Sequence, residues 1–179
     1  MQGVTSPPNQ VGILPRAFEH LFESISAAEG TKYLVFASYL EIYSKKTNEY
    51  TFFLHSKTIL QFLFSDEEIR DLLSPDYKKK LELKENPDRG VYVANLGQHA
   101  VHSVSDCQSL MENGWKNRAV GATLMNADSS RSHSIFSLSV EMMDTVVQPE
   151  SGDQNHIRRG KLNLVDLAGS ERQSKTGNK

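Results

Sequence analysis

KLNLVDLAGSE, Lys161 to Glu171, runs a short apolar strand into a single carboxylate, Asp166, and three residues later into Gly169. Apolar residues closed off by a charge and a glycine read as a buried strand that ends at the edge of a sheet, where open α/β sheets bind ligands. A carboxylate there suits a hard cation, which takes oxygen ligands directly or through water. Gly169 would let a bare backbone N–H approach an anion with no Cβ in the way. Asp-x-x-Gly also closes many ordinary turns, so this stretch alone leaves both readings open.

Upstream lies NADSSRSH, Asn126 to His133, whose Asn126 to Arg131 is polar and turn-like, and the stretch Ile135 to Met142 alternates as a strand. The adjacent hydroxyls of Ser129 and Ser130 can supply an oxygen to Mg²⁺ and a hydrogen bond to phosphate, and Arg131 suits a bidentate carboxylate partner. The two strands are expected to be joined by a polar hairpin loop, SGDQNHIRRG, Ser151 to Gly160. Before NADSSRSH, Ser105 reads as the N-cap of a helix from Asp106 to about Trp115.

Leu81 and Leu83, then Val91 and Val93, alternate around NPDRG as a hairpin. EEIRDLL, Glu67 to Leu73, predicts a short helix stopped by Ser74 and Pro75. YLVFASYLEIY, Tyr33 to Tyr43, predicts a strand buried on both faces. An amphipathic helix is expected over Ala17 to Ile25, with Phe18, Leu21, Phe22 and Ile25 on one stripe, Pro15 in its first turn and Glu29 and Gly30 ending it. Interleaved strands and helices argue an α/β sheet domain.

Composition narrows the function classes. At 179 residues and 38% hydrophobic content, one compact domain is expected. A formal net charge of −2 with pI near 6.3 supplies no global basic field for nucleic acid or an anionic membrane. Cys107 is the single cysteine, which excludes an intramolecular disulfide and a CxxC zinc site, agrees with a reducing cytosol, and predicts a small buried apolar role. No apolar run approaches a membrane span, and MQGVTSPPNQVG lacks a signal-peptide pattern, so a soluble intracellular protein is expected, without nucleic-acid or membrane partners.

The pair formed by NADSSRSH and DLAGSE resembles switch I (126–133) and switch II (166–171) of kinesin motor domains. GILPRAFEHLFESI, VFASYLEIY, EEIRDLL, KKLELKENPDRGVYVANL and GWKNRAVGATLMNADSSRSHSIFSLSVE are similar to kinesin as well, the wording being most like the homodimeric branch of kinesin-2. The resemblance implies a partial P-loop NTPase fold of α/β class, a mostly β central sheet flanked by helices, over residues 1–179. It implies ATP and Mg²⁺ as cofactors, with Ser130 as Mg²⁺ ligand and Asp166 as the carboxylate behind it. By the same resemblance Ser129 positions the γ-phosphate or the attacking water, and Gly169 senses the phosphate through its N–H. Arg131 and Glu171 close the switches as an ion pair, and Asn126 and Arg118 brace them. His133 is read as a packing residue. The implied partner is the microtubule, with contacts in the hairpin Leu81 to Val101; Lys78, Lys79 and Lys80 either face acidic tubulin or form a solvated charged turn. Cytoplasm, cytoskeleton and cilium are the implied locations.

Departures from the family pattern set a second expectation. GxxxxGK[ST], whose amides and lysine cradle phosphate, does not occur in these residues; the family stretch is expected to begin just after that loop's helix and to stop inside the loop after switch II. High-affinity ATP binding by the chain is therefore doubtful on sequence grounds. GSERQSKT, Gly169 to Thr176, matches only as GxxxxSKT and is read as switch II. Ser44 to Ser65 is an apolar insertion, either an added hairpin or partner-binding surface or, the preferred reading, translated intron, because Phe-Leu-Phe-Ser implies a pyrimidine-rich tract. A GTPase would need NKxD, which is absent. The alternative to a motor segment is a non-catalytic splice or gene-model fragment acting at most as an interaction module, its sheet left with exposed edges and an uncovered face.

Overall fold

The β-branched and aromatic run around Tyr33 to Tyr43 becomes the spine of the molecule. A computed structural model describes residue 3 and residues 11–44, 67–87, 90–124, 132–146 and 154–167. In chain order the elements are α1 (Ile13–Ala27), β1 (Thr31–Ser44), β2 (Glu67–Asp71), β3 (Lys80–Leu81), β4 (Leu83–Asn86), β5 (Gly90–Val93), β6 (His99–Val101), α2 (Val104–Leu124), β7 (Ser132–Val146) and β8 (Gln154–Asp166). Sheet order is β3-β2-β1-β7-β8, and every pairing is antiparallel. One edge of β1 is taken along its length by β7, from Thr31↔Asp144 to Tyr43↔Ser132. Its other edge is shared, β2 pairing Leu40 to Ser44 and β6 pairing Val35 to Ala37.

Both helices pack on one face of this sheet. Leu14 and Phe18 of α1 and Cys107 and Met111 of α2 meet Val35, Ala37 and Tyr39 of β1 and Phe136 and Leu138 of β7. The Phe136 ring lies 5.2 Å from that of Phe18 and 5.3 Å from that of Tyr39, tilted against both, an arrangement that aromatic quadrupoles favour. The opposite face is open over Leu34, Ile157 and Val165, which are 55%, 56% and 41% exposed. β1 is thus covered fully on one face only, and β8, expected to be buried, lies at the sheet's outer edge.

Several expectations change. EEIRDLL is not a helix: Glu67–Asp71 is strand β2, followed by a turn in which Leu72 N–H donates to Tyr39 O at 2.9 Å. Seven residues are too few for a helix to hold by itself, and the free edge of β1 offers a full hydrogen-bond ladder. The charges buried by that choice find partners, Arg70 Nη2 donating to Glu68 Oε2 at 2.7 Å and Asp71 accepting from the N–H groups of Leu73 and Gly97. The expected hairpin loop of Ser151 to Gly160 is also largely strand, β8 pairing from Val146↔Gln154 onward. Its polar residues suit an edge with solvent on it, and Arg159 Nε reaches Glu141 Oε1 across the pair at 2.7 Å.

The N-cap of α2 is Ser103 rather than Ser105: Asp106 N–H donates to Ser103 Oγ at 3.1 Å, and Asp106 Oδ2 accepts from His102 N–H at 2.8 Å. That His102 N–H, with help from Ser103, holds the Asp106 carboxyl below 3.8. α2 also runs past Trp115 to Leu124. The expected hairpin loses Leu81, which pairs with Ile69 of β2 instead, and keeps the rest. α1 is amphipathic and ends before Gly30 at φ +75°, and the hairpin pairs Leu83↔Val93 through Asn86↔Gly90.

Candidate functional site

Antiparallel register carries the ends of both chemical motifs to one place. Ser134 of β7 lies opposite Asp166 of β8, and Ser132 lies two residues back on the same face. β1 contributes Glu41, the single charge in the run Tyr33 to Tyr43 and 7% exposed. From above this face α2 delivers Arg118, one helical turn beyond Trp115.

Arg118 ties these strands together. Its Nη1 donates to Ser134 Oγ at 3.2 Å and to Asp166 Oδ2 at 3.3 Å, while Nη2 donates to Ser132 O at 3.0 Å and Ser132 Oγ at 3.3 Å. Its Nε lies 3.5 Å from Glu41 Oε1, and that same oxygen accepts the Ser132 hydroxyl. The donor fork of an arginine is a rigid plane, so filling it from several strands fixes their relative position. Burial of the ion pair is offset by the hydrogen bonds that the guanidinium makes to Ser132 and Ser134 and that the Ser132 hydroxyl makes to Glu41 Oε1.

The Arg118 and Asp166 side chains line a cavity of about 240 Å³ with Ser134, Leu14, Tyr39 and Trp115. One wall is apolar and the other carries oxygens. Asp166 is the open member of the cluster, its side chain 47% exposed against 9% for Glu41. Oxygen donors around a half-exposed carboxylate fit a hard cation such as Mg²⁺. With Arg118 already on one oxygen of Asp166, the carboxylate suits a supporting role behind the direct ligands. Among the described residues no group of three or more His, Cys, Asp and Glu gathers as a metal cluster.

A family model described as kinesin motor domain matches residues 58–179. The chain belongs to the kinesin motor family. It is 47% identical over 177 residues to kinesin-like protein KIF3C of Bos taurus and, over the same length, to that of Mus musculus, covering 99% of this chain and 19% of each relative. These relatives belong to the kinesin-2 family. A solved structure of a fast kinesin, described for its ATPase mechanism and interactions with microtubules, superposes with a TM-score of 0.70 at 37% identity, covering 99% of this chain and 42% of that one. The chain spans about a fifth of the length of the curated relatives it matches, 19%.

Of the kinesin site residues expected from sequence, Asp166 and Arg118 meet in this cavity. Asn126, Ser129, Ser130, Arg131, Gly169 and Glu171 lie outside the described residues, as does most of the 44–65 insertion. His133 sits half-buried on β7, paired with Ile42. The three lysines divide: Lys78 and Lys79 are exposed in the turn, while Lys80 begins β3 and its ammonium pairs with Glu68. Sequence reasoning missed Glu41, Ser132 and Ser134. A lone charge inside an apolar strand was the available signal for Glu41, and the period-2 step back from Phe136 was the signal for both serines.

Proposed function

We propose that the chain is the switch-bearing segment of an ATP-hydrolysing, microtubule-dependent motor. The observation that carries this reading is the Arg118 bridge, which links Ser132, at the end of NADSSRSH, to Asp166, at the start of DLAGSE. Two motifs that must respond together to a phosphate thus meet on one guanidinium.

In this reading Ser130 binds Mg²⁺, Asp166 supports it, and Ser129 and Gly169 orient the terminal phosphate of ATP and the water opposite it. Mg²⁺, when bound, neutralises charge on the phosphate oxygens. Asn126 braces the first switch, and the Arg131–Glu171 pair closes the two switches around the water. Catalysis is positioning and electrostatic stabilisation, with no protein nucleophile. The hairpin β4–β5 and the exposed Lys78 and Lys79 face tubulin. The same reading locates the protein in the cytoplasm, on the microtubule cytoskeleton and in the cilium.

Titration of the 179-residue chain with Mg·ATP tests the nucleotide half, with Asp166→Asn as control. Binding that Asp166→Asn weakens supports the motor reading; no binding by either chain would leave the non-catalytic interaction module in its place. Co-sedimentation with microtubules, with and without a non-hydrolysable ATP analogue, tests the partner. A bound fraction insensitive to the analogue would uncouple the switches from the microtubule.

A further inference from the structure

We propose that Glu41 is a positioning residue for this site: it holds the Arg118 guanidinium and the start of β7 so that Asp166 keeps an oxygen for a divalent cation. The proposal rests on the reading of Asp166 as a cation-supporting carboxylate. Glu41 is buried in β1, contacts Arg118 Nε at 3.5 Å and accepts the Ser132 hydroxyl. Arg118 therefore lies between two carboxylates, one buried at 9% exposure and one at the cavity at 47%.

A charge pair interacts more strongly where solvent is scarce, so Glu41 holds the fork from the inside. What reaches Asp166 is one Nη1 contact at 3.3 Å, shared with Ser134. Without the Glu41 charge the only carboxylate left to Arg118 within this cluster is Asp166. A free guanidinium pairs with a carboxylate through both oxygens, and a bidentate pair would take the oxygen the cation needs. Glu41 thus governs the site without touching it.

The test uses the whole 179-residue chain and Mn²⁺ as the probe ion, its free concentration read by electron paramagnetic resonance. Glu41→Gln keeps the shape and an acceptor for Ser132 but removes the charge. It is expected to weaken Mn²⁺ binding roughly 10-fold, the scale of outer-shell changes at metal sites. In an Arg118→Met background the same change is expected to have no further effect, because the competitor is gone. A weakening of equal size with and without Arg118 would overturn the proposal.

A second readout needs no metal: the Arg118 Nε–H resonance in nitrogen-edited NMR. It is expected to shift and exchange faster in Glu41→Gln, and to move partway in the milder Ser132→Ala. An unchanged resonance in both variants sinks the proposal even where Mn²⁺ does not bind. Equal Mn²⁺ affinity in wild type and Asp166→Asn removes the cation reading instead, and the arginine signal still decides whether Glu41 positions Arg118.

Discussion

Arg118→Met leaves Glu41 buried with the Ser132 hydroxyl as its remaining partner. Breaking a buried pair from one side is costlier than never having it, so this substitution is expected to destabilise the chain by about 3 kcal/mol. Glu41→Leu together with Arg118→Met should recover most of that loss; chemical denaturation of both variants checks the pair, and equal losses would mean the charges are not coupled. Cys107 gives a pH-dependent counterpart. Burial pushes its thiol up from 9.0 to about 12, so the folded chain keeps its proton where the unfolded chain releases it. The resulting stability is complete below about pH 9 and is lost as pH rises from there toward 12. Ellman's reagent at pH 8 should find the folded chain unreactive and the urea-unfolded chain fully reactive; rapid labelling of the folded chain would contradict the burial. The carboxylate of this site was legible because Asp166 ends an apolar strand, and Arg118 because it falls in a family stretch. Glu41 was not, because the run around it reads as packing; the β1–β7 register sets it opposite Ser134, and its hydrogen-bond partner Ser132, one diagonal step away, is 91 positions distant in sequence.

On the scale of elements, α2 lies unusually close to the sheet at Gly114. A Cβ there would stand 2.3 Å from the Tyr39 ring, which is itself confined by Phe136. Gly114→Ala is expected to destabilise the chain by about 1 kcal/mol, since overpacking of about 1–3 kcal/mol outweighs the gain of about 1 kcal/mol in helix propensity. Tyr39→Leu in the same chain should relieve part of the clash, and urea midpoints distinguish the two. At the other end of the helix, Ser103→Ala removes the N-cap and should cost about 1 kcal/mol. These contacts explain which elements could be read in advance. β1, α1 and the β4–β5 hairpin follow from local periodicity and turn residues. α2 runs on past Trp115, and Gly114 inside it serves close approach to the Tyr39 ring. Glu67–Asp71 looked helical because Ile69, Leu72 and Leu73 have helical spacing; pairing with β1 overrides that preference, and such an edge is invisible to any short window of sequence.

For the molecule as a whole, the unequal covering of the sheet has a physical consequence. Two helices pack on one face, where Leu162 at the β8 side is still 41% exposed, while Leu34 and Ile157 stand more than half exposed on the other. β8 pairs only with β7 among the described strands, leaving an outer edge of backbone donors and acceptors. Edges of this kind recruit further strands unless charge opposes it. Arg159 and Lys161 provide some opposition, but Arg159 is paired with Glu141, and a net charge of −2 gives little long-range repulsion. The chain is therefore expected to self-associate as its concentration rises, most strongly near its pI of about 6.3 and less at pH 8. Leu34→Lys with Ile157→Lys should shift it toward monomer. Leu34 lies opposite Glu141 in the ladder, so the new ammonium there gains a carboxylate neighbour, and neither position belongs to the packed core, so the unfolding free energy should change by no more than about 0.5 kcal/mol. Sedimentation velocity over a concentration series measures the effect. A double variant that associates as wild type does would place the contact elsewhere than the open face, and a large loss of stability would mean that this face is packed rather than open.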